Sequence, residues 1–315
     1  TVMELTLNII LLLTGITILV WGANKFVDHA SVIAKHLGVG DLVIGLTLIA
    51  AGTSAPEVFV GISAVLNGNE DIALGTAIGS NISNIALIFG VSCLYFNVAS
   101  RTHLWNLLPF GLTVLLLGLT LADGTISFSE SMGFVGLFML FMYVLLKTDG
   151  VPDDESSEVS EFTKSLFLSM VGLVGLIAGA NISIIYAEST ALLLGISELI
   201  IGLTIIALGT SLPELAATVA ALKKGRHQMV VGNIIGSNVL NLVFVIPIIG
   251  FFGSVQLSPI VLERDFSILA ILSLVFILLA VSLTKLKFNR SLYMFAGIIL
   301  VSSYILYIAT LSGII

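Results

Sequence analysis

The stretch Gly45-Leu-Thr-Leu-Ile-Ala-Ala-Gly-Thr-Ser-Ala-Pro-Glu57 recurs as Gly202-Leu-Thr-Ile-Ile-Ala-Leu-Gly-Thr-Ser-Leu-Pro-Glu214. A second stretch, Gly79-Ser-Asn-Ile-Ser-Asn84, recurs as Gly236-Ser-Asn-Val-Leu-Asn241. Glu214 stands 157 residues after Glu57, and Gly202, Gly236 and Asn241 keep the same distance from Gly45, Gly79 and Asn84. Gly22-Ala23-Asn24 returns at that spacing as Gly179-Ala180-Asn181, so the duplication covers whole halves of the chain.

Around these motifs the sequence is apolar. Of 315 residues 57% are hydrophobic and 10% charged, and the mean hydropathy is +1.16. Such a chain cannot be the outside of a water-soluble domain. Apolar segments long enough for a bilayer core of about 30 Å, which takes about 20 helical residues, run over 5–35, 42–66, 72–98, 104–122, 131–146, 165–190, 199–222, 228–252, 266–284 and 291–311. None alternates apolar and polar residues, which excludes a membrane β-barrel. The expected fold is therefore an all-α integral membrane protein of ten transmembrane helices. The first segment, carrying Lys25 and Asp28, is too long for a cleaved signal peptide.

Five spans per half is an odd number, so the second half must enter the membrane from the opposite side. The ten helices then form two inverted five-helix repeats, 1–146 and 165–315, joined by an acidic linker over 147–164. Six of the 19 acids (Asp149, Asp153, Asp154, Glu155, Glu158 and Glu161) lie in that linker and read as a solvated connection. Ten of the 12 basic residues fall in the loops after helices 1, 3, 5, 7 and 9, from Lys35 to Arg290. Only Arg264 lies on the other side, and Lys25 sits inside the first helix near its Lys35 end. By the positive-inside rule both termini are outside the cell membrane and the central loop is cytoplasmic. Cys93 is the sole cysteine, so no intrachain disulfide forms.

The repeated motifs are polar, and polar groups in lipid are costly enough that they mark function. Pro56 and Pro213 deprive the carbonyls near Gly52 and Gly209 of their helical partners. Loosened backbone at membrane depth persists only where protein or a water-filled cavity surrounds it. Thr53 and Ser54 stand four and three residues before Glu57 on one helix face, and Thr210, Ser211 and Glu214 copy them. Ser80 with Asn84, and Ser237 with Asn241, are each four apart beside Gly79 or Gly236, which allow close backbone approach. Two carboxylates among hydroxyl, amide and carbonyl oxygens, with no His or Cys near in sequence, suit calcium or sodium better than zinc or copper. Two ionised Glu neutralise one Ca²⁺, and either left bare in hydrocarbon would be costly. Asp28, Asp41, Glu188 and Glu198 read as solvated helix-end groups without a role.

At these residues the sequence resembles the cation/calcium exchanger superfamily, whose two α-repeats carry Gly-Thr-Ser-x-Pro-Glu and Gly-Ser-Asn motifs. It looks most like the compact prokaryotic sodium/calcium exchangers, the central loop being too short for a sensing domain. The resemblance implies ten helices, with helices 1 and 6 long, tilted and gliding past a core of the other eight. It makes Glu57 and Glu214 the calcium carboxylates. Thr53 and Thr210 would add backbone and hydroxyl oxygens, and Ala50 and Ala207 carbonyls to flanking sodium sites. Ser54, Ser80, Ser211 and Ser237 would be further ligands, with Asn84 and Asn241 lining the middle. Family exchange is commonly three Na⁺ for one Ca²⁺, hence electrogenic. Some prokaryotic relatives and potassium-dependent exchangers have aspartate at the position of Asn241, so potassium co-transport is disfavoured here.

The expected function is secondary antiport of sodium against calcium by alternating access, with calcium/proton antiport as the alternative. No cofactor is expected beyond the transported calcium and sodium ions. The expected surroundings are the lipid bilayer, without nucleic acid or an obligatory protein partner. An enzyme is not expected: His29, His36, His103 and His227 all lie toward the cytoplasmic side, away from Ser54 and Ser211.

Overall fold

The structure, a computed structural model, describes residues 2–95, 104–147, 159–196, 209–252, 255–256, 261–285 and 290–311. Ten helices follow in order. They are α1 (Val2–His36), α2 (Asp41–Leu66), α3 (Glu70–Tyr95), α4 (Leu104–Leu121), α5 (Phe128–Lys147), α6 (Val159–Leu193), α7 (Leu212–Lys223), α8 (His227–Phe251), α9 (a π-helix over Val261–Phe266 continuing as Ser267–Lys285) and α10 (Arg290–Leu311). Among the described residues, nine of these helices are long and apolar enough to cross a bilayer. The first half of the remaining span, 197–208, lies outside the described residues.

Helix ends repeat as the motifs do. The Val39 N–H bonds back to the Ala34 carbonyl at 2.9 Å, and 157 residues on Ile196 bonds to Ala191 at 3.0 Å. Asn69 to Ala64 and Arg226 to Ala221, both 2.9 Å, close α2 and α7 in the same way. Each of these six-to-one bonds needs a left-handed residue inside the turn, and Gly38, Gly195, Gly68 and Gly225 supply it with φ of 63°, 79°, 71° and 70°.

The two long helices α1 and α6 lie against each other along their length. Glycine makes that approach possible. A Cβ on Gly22 would stand 2.6 Å from the Gly175 carbonyl carbon and would also strike the Leu176 N–H. One on Gly179 would strike Leu19, one on Gly172 would strike Phe26, and one on Gly15 would strike Ser183. Exchanging the halves by 157 residues turns the Gly22·Leu176 contact into Gly179·Leu19, and Gly15·Ser183 into Gly172·Phe26. The packing therefore carries the two-fold relation that the sequence repeat implies.

α8 is the axis of the core, buried along nearly its whole length and packed on α2, α3 and α5. Gly45 of α2 meets Met229, and Gly232 and Gly236 of α8 meet Leu42 and Leu46, so these helices touch backbone to backbone. Phe276 of α9 ties α3 to α4, standing edge-on to Phe89 (4.9 Å, 84°) and to Phe110 (5.8 Å, 86°). The outside of the bundle is apolar: Phe59, Phe167, Val174 and Leu146 are among many large side chains left uncovered by protein. Lipid is the solvent that matches them.

Three features go beyond what the sequence reading gives. The helices are joined at one end by a two-residue antiparallel bridge, Thr125 to Gln256 and Ile126 to Val255 (β1 and β2), where two connections run side by side and satisfy each other's backbone groups. α6 starts at Val159 and not at 165, because a helix need not stop where its apolar run does. Asp28 and Asp41 are not solitary helix-end groups: Lys224 Nζ lies 2.6 Å from Asp28 and donates to the Asn24 carbonyl at 3.0 Å, and Arg226 lies 3.1 Å from Asp41. These partly exposed pairs contribute about 1 kcal/mol or less each. They do join the α7–α8 turn to α1 and to the start of α2 at a single end of the bundle.

Candidate functional site

α2 and α7 begin the site differently despite their shared motif. α2 is continuous: a π-helical turn over Gly45–Ile49 precedes the motif, and Pro56 sits inside the following α-helix. α7 is interrupted at Thr210 and Ser211, with Ser211 preceding the helix at φ −89° and ψ 5°, and Pro213 falls in the first turn. Proline is tolerated there because the N–H it lacks would have had no helical partner. The expected loosening of both motifs thus occurs visibly in the second. In the first, Pro56 leaves the Gly52 carbonyl without its N–H donor while the helix runs on.

The motifs of the two halves meet at buried carboxylates. Glu57 and Glu214 are 2% and 1% exposed, and the carboxyl groups lie close against each other. Ser54 of the first repeat donates its hydroxyl to Glu214 Oε1 of the second at 3.1 Å. Glu214 Oε2 and both Glu57 oxygens have no hydrogen-bond donor among the described residues. With both groups ionised neither can donate to the other, so only a cation or a shared proton makes this proximity favourable.

Other buried oxygens surround them. Thr53 is fully buried, its hydroxyl within reach of the Ile49 carbonyl (3.1 Å), the Ala50 carbonyl (3.5 Å) and Asn233 Oδ1 (3.4 Å). Ser211 Oγ, Ser237 Oγ, Asn241 Oδ1 and both amide atoms of Asn84 are buried without partners among the described residues. Ser80 and Ala50 are buried, Thr210 is half-buried in the turn before α7, and Ala207 lies outside the described residues. No group of three or more His, Cys, Asp or Glu occurs among the described residues. The available donor set is two carboxylates with hydroxyl, amide and backbone oxygens, which is chemistry for a hard cation.

Four further polar residues were not singled out by sequence. Asn81 donates to the Asn238 backbone carbonyl at 3.0 Å and accepts from Asn241 Nδ2 at 3.3 Å. Asn233 bridges Thr53 of α2 and Thr218 of α7, each at 3.4 Å. Asn81 and Asn238 are 157 residues apart and occupy the same place in the repeated motif, which was signal enough. Asn233 and Thr218 have Thr76 and Gly61 as their counterparts, so comparing the halves could not reveal them.

The two-fold relation is broken at these bonds. Ser54 reaches Glu214, but its counterpart Ser211 does not reach Glu57; Asn241 reaches Asn81, but Asn84 does not reach Asn238.

The model of the family described as sodium/calcium exchanger protein matches residues 7–147 and 164–313. The chain belongs to this family. Among curated proteins it is 36% identical to CaxA of Alkalimonas amylolytica, a candidate antiporter by its name, over 88% of this chain and 91% of that one. It is 30% identical to the sodium/calcium exchanger MaX1 of Methanosarcina acetivorans, over 98% and 99%. Among solved structures, the sodium-calcium exchanger NCX_Mj soaked with 10 mM Na⁺ and zero Ca²⁺ superposes with a TM-score of 0.84 at 32% identity, covering 98% of this chain and 99% of that one. Membership of the sodium/calcium exchanger family, the apolar helices and the paired halves agree. The chain is a multi-pass membrane protein of ten helices in two inverted repeats, and a transporter, not an enzyme.

Proposed function

We propose that the chain exchanges sodium for calcium by alternating access, electrogenically and without potassium. In this reading Glu57 and Glu214 hold Ca²⁺, with oxygens from Thr53, Ser54, Ala50, Ser80, Asn84, Thr210, Ser211, Ala207, Ser237 and Asn241 completing the calcium and sodium positions. The observation that carries it is the buried carboxylate pair, one Glu from each inverted repeat, with three of its four oxygens undonated among the described residues. An empty pair of carboxylates in hydrocarbon is costly, so the carrier returns only when sodium replaces calcium, and this couples the two fluxes. Calcium uptake into proteoliposomes should be driven by an outward sodium gradient. Uptake driven by an outward proton gradient alone would make the chain a calcium/proton antiporter instead.

The neutral amide of Asn241 bears on potassium. A third carboxylate there would call for a further cation or a proton, and wild type has none to satisfy. Sodium-driven calcium flux at fixed membrane potential should therefore be equal in potassium-free and potassium-containing media. Asn241→Asp should gain pH sensitivity as the added acid takes up and releases a proton. Strict potassium dependence of the wild type would show that the role of Asn241 has been misread.

The proposed orientation, both termini outside and the acidic linker 147–164 between the halves cytoplasmic, rests on the lysine and arginine distribution. In a Cys93→Ser background, Asn69→Cys and Lys223→Cys should react with a membrane-impermeant thiol reagent from opposite sides. Lys223 is exposed, whereas the neighbouring Gly225, at φ 70°, would strain any side chain. Labelling of both from one side would overturn the topology.

A further inference from the structure

We propose that Asn81 is a positioning residue that fixes the amide of Asn241 so that its oxygen, and not its NH₂, is offered to the transported cation. The proposal rests on the reading of the site as a cation site with Asn241 among its ligands.

Three groups have their polarity forced in turn. The oxygen and nitrogen of an asparagine amide are nearly the same size, so a flipped amide fits almost any pocket and hydrogen-bond partners must decide its orientation. Asn81 is fully buried and meets the backbone carbonyl of Asn238 at 3.0 Å. A carbonyl only accepts, so Nδ2 of Asn81 must face it and Oδ1 must face the other way. That Oδ1 meets the Asn241 amide at 3.3 Å and can itself only accept, so Asn241 turns its Nδ2 toward Asn81. Asn241 Oδ1 is thereby directed away from Asn81. It is buried without a donor among the described residues, one helical turn from the equally unpartnered Ser237 Oγ. A flipped Asn241 would present two N–H dipoles to a cation and leave Asn81 Oδ1 facing another oxygen.

The other half lacks this relay. Asn238, the counterpart of Asn81, donates to the Ile234 carbonyl of its own helix at 2.6 Å. Asn84, the counterpart of Asn241, has neither amide atom bonded among the described residues. Of the two central asparagines, the structure orients one.

Groups that orient a metal's ligands typically change affinity by about 10–100-fold when removed. The test is the calcium concentration for half-maximal sodium-driven flux in proteoliposomes, together with calcium protection against thermal unfolding in detergent. Asn81→Ala and Asn241→Ala should each raise both half-saturation values by about tenfold or more. The double substitution should be no worse than the more severe single, because Asn81 acts through Asn241. If Asn241→Ala changes neither value, Asn241 is not a ligand, and the site reading falls together with this proposal. If Asn241→Ala weakens calcium but Asn81→Ala stays within about twofold of wild type, or if the two effects add in full, the site stands and the positioning role is refuted. Should Asn81→Ala fail to assemble, Asn81→Ser takes its place in the same comparison. A serine there can bond a carbonyl of its own helix and so pack, yet is too short to span to both α8 partners.

Discussion

Glu57→Gln and Glu214→Gln should each abolish sodium-driven calcium flux, to below about one hundredth of wild type, while the protein still purifies as a folded membrane protein. On the proposed reading, each substitution keeps the shape and removes half the negative charge that would meet Ca²⁺ as it leaves water. Removing one partner of a buried charge pair costs about 3–5 kcal/mol, which is more than about 100-fold in binding. The two need not be equally deleterious in stability. Glu214 accepts from Ser54, and glutamine can still accept there; both Glu57 oxygens lack donors among the described residues, so an uncharged amide relieves an unsatisfied anion. Glu57→Gln should therefore raise the thermal midpoint of the calcium-free protein more than Glu214→Gln does. Near-wild-type flux in either variant would remove the carboxylate pair from the mechanism.

A comparably large loss is expected where no charge is involved. Gly22→Leu and Gly179→Leu place a side chain where backbone of the facing helix already stands, Gly175 and Leu176 in the first case and Leu19 in the second. Backbone cannot rotate aside as a side chain can, so α1 and α6 must separate. Overpacking costs about 1–3 kcal/mol in general, and membrane helices held by small residues depend on close approach for their attraction. Both variants should lose more than about nine tenths of flux and melt at lower temperature. Gly136→Leu, on α5 where a Cβ meets nothing within 4 Å, should do neither. Normal flux in Gly22→Leu and Gly179→Leu would mean that the close α1–α6 contact is dispensable.

Much of this architecture is legible in the amino-acid order because lipid makes the rules strict. Apolar runs mark the spans within a few residues, and the glycines that the structure places at helix ends and across α1 and α6 recur at the same offset of 157 residues. Other features depend on what the chain packs against. Pro56 and Pro213 stand in the same motif, yet α2 runs through the first while α7 starts beside the second; the local sequence is equal and the tertiary surroundings are not. The π-turn at Gly45–Ile49 has no residue that announces it, and its extra residue shifts the helical register of everything before it. Lys224 and Arg226 find Asp28 and Asp41 only because α7 returns beside α1, a contact across about 185–200 positions that charge patterning along a single helix cannot reveal.

The bonds that break the two-fold relation have an energetic consequence of their own. Ser54 to Glu214 and Asn241 to Asn81 are made; Ser211 to Glu57 and Asn84 to Asn238 are their unmade mirror images. A rearrangement that traded the first set for the second would conserve both the number and the chemical type of bonds. At about 1 kcal/mol for each net hydrogen bond, such a swap is close to thermally neutral before any ion is counted. A molecule with two nearly degenerate arrangements has no built-in preferred direction. Net flux through it would be set by the ion gradients on either side and could reverse when they do.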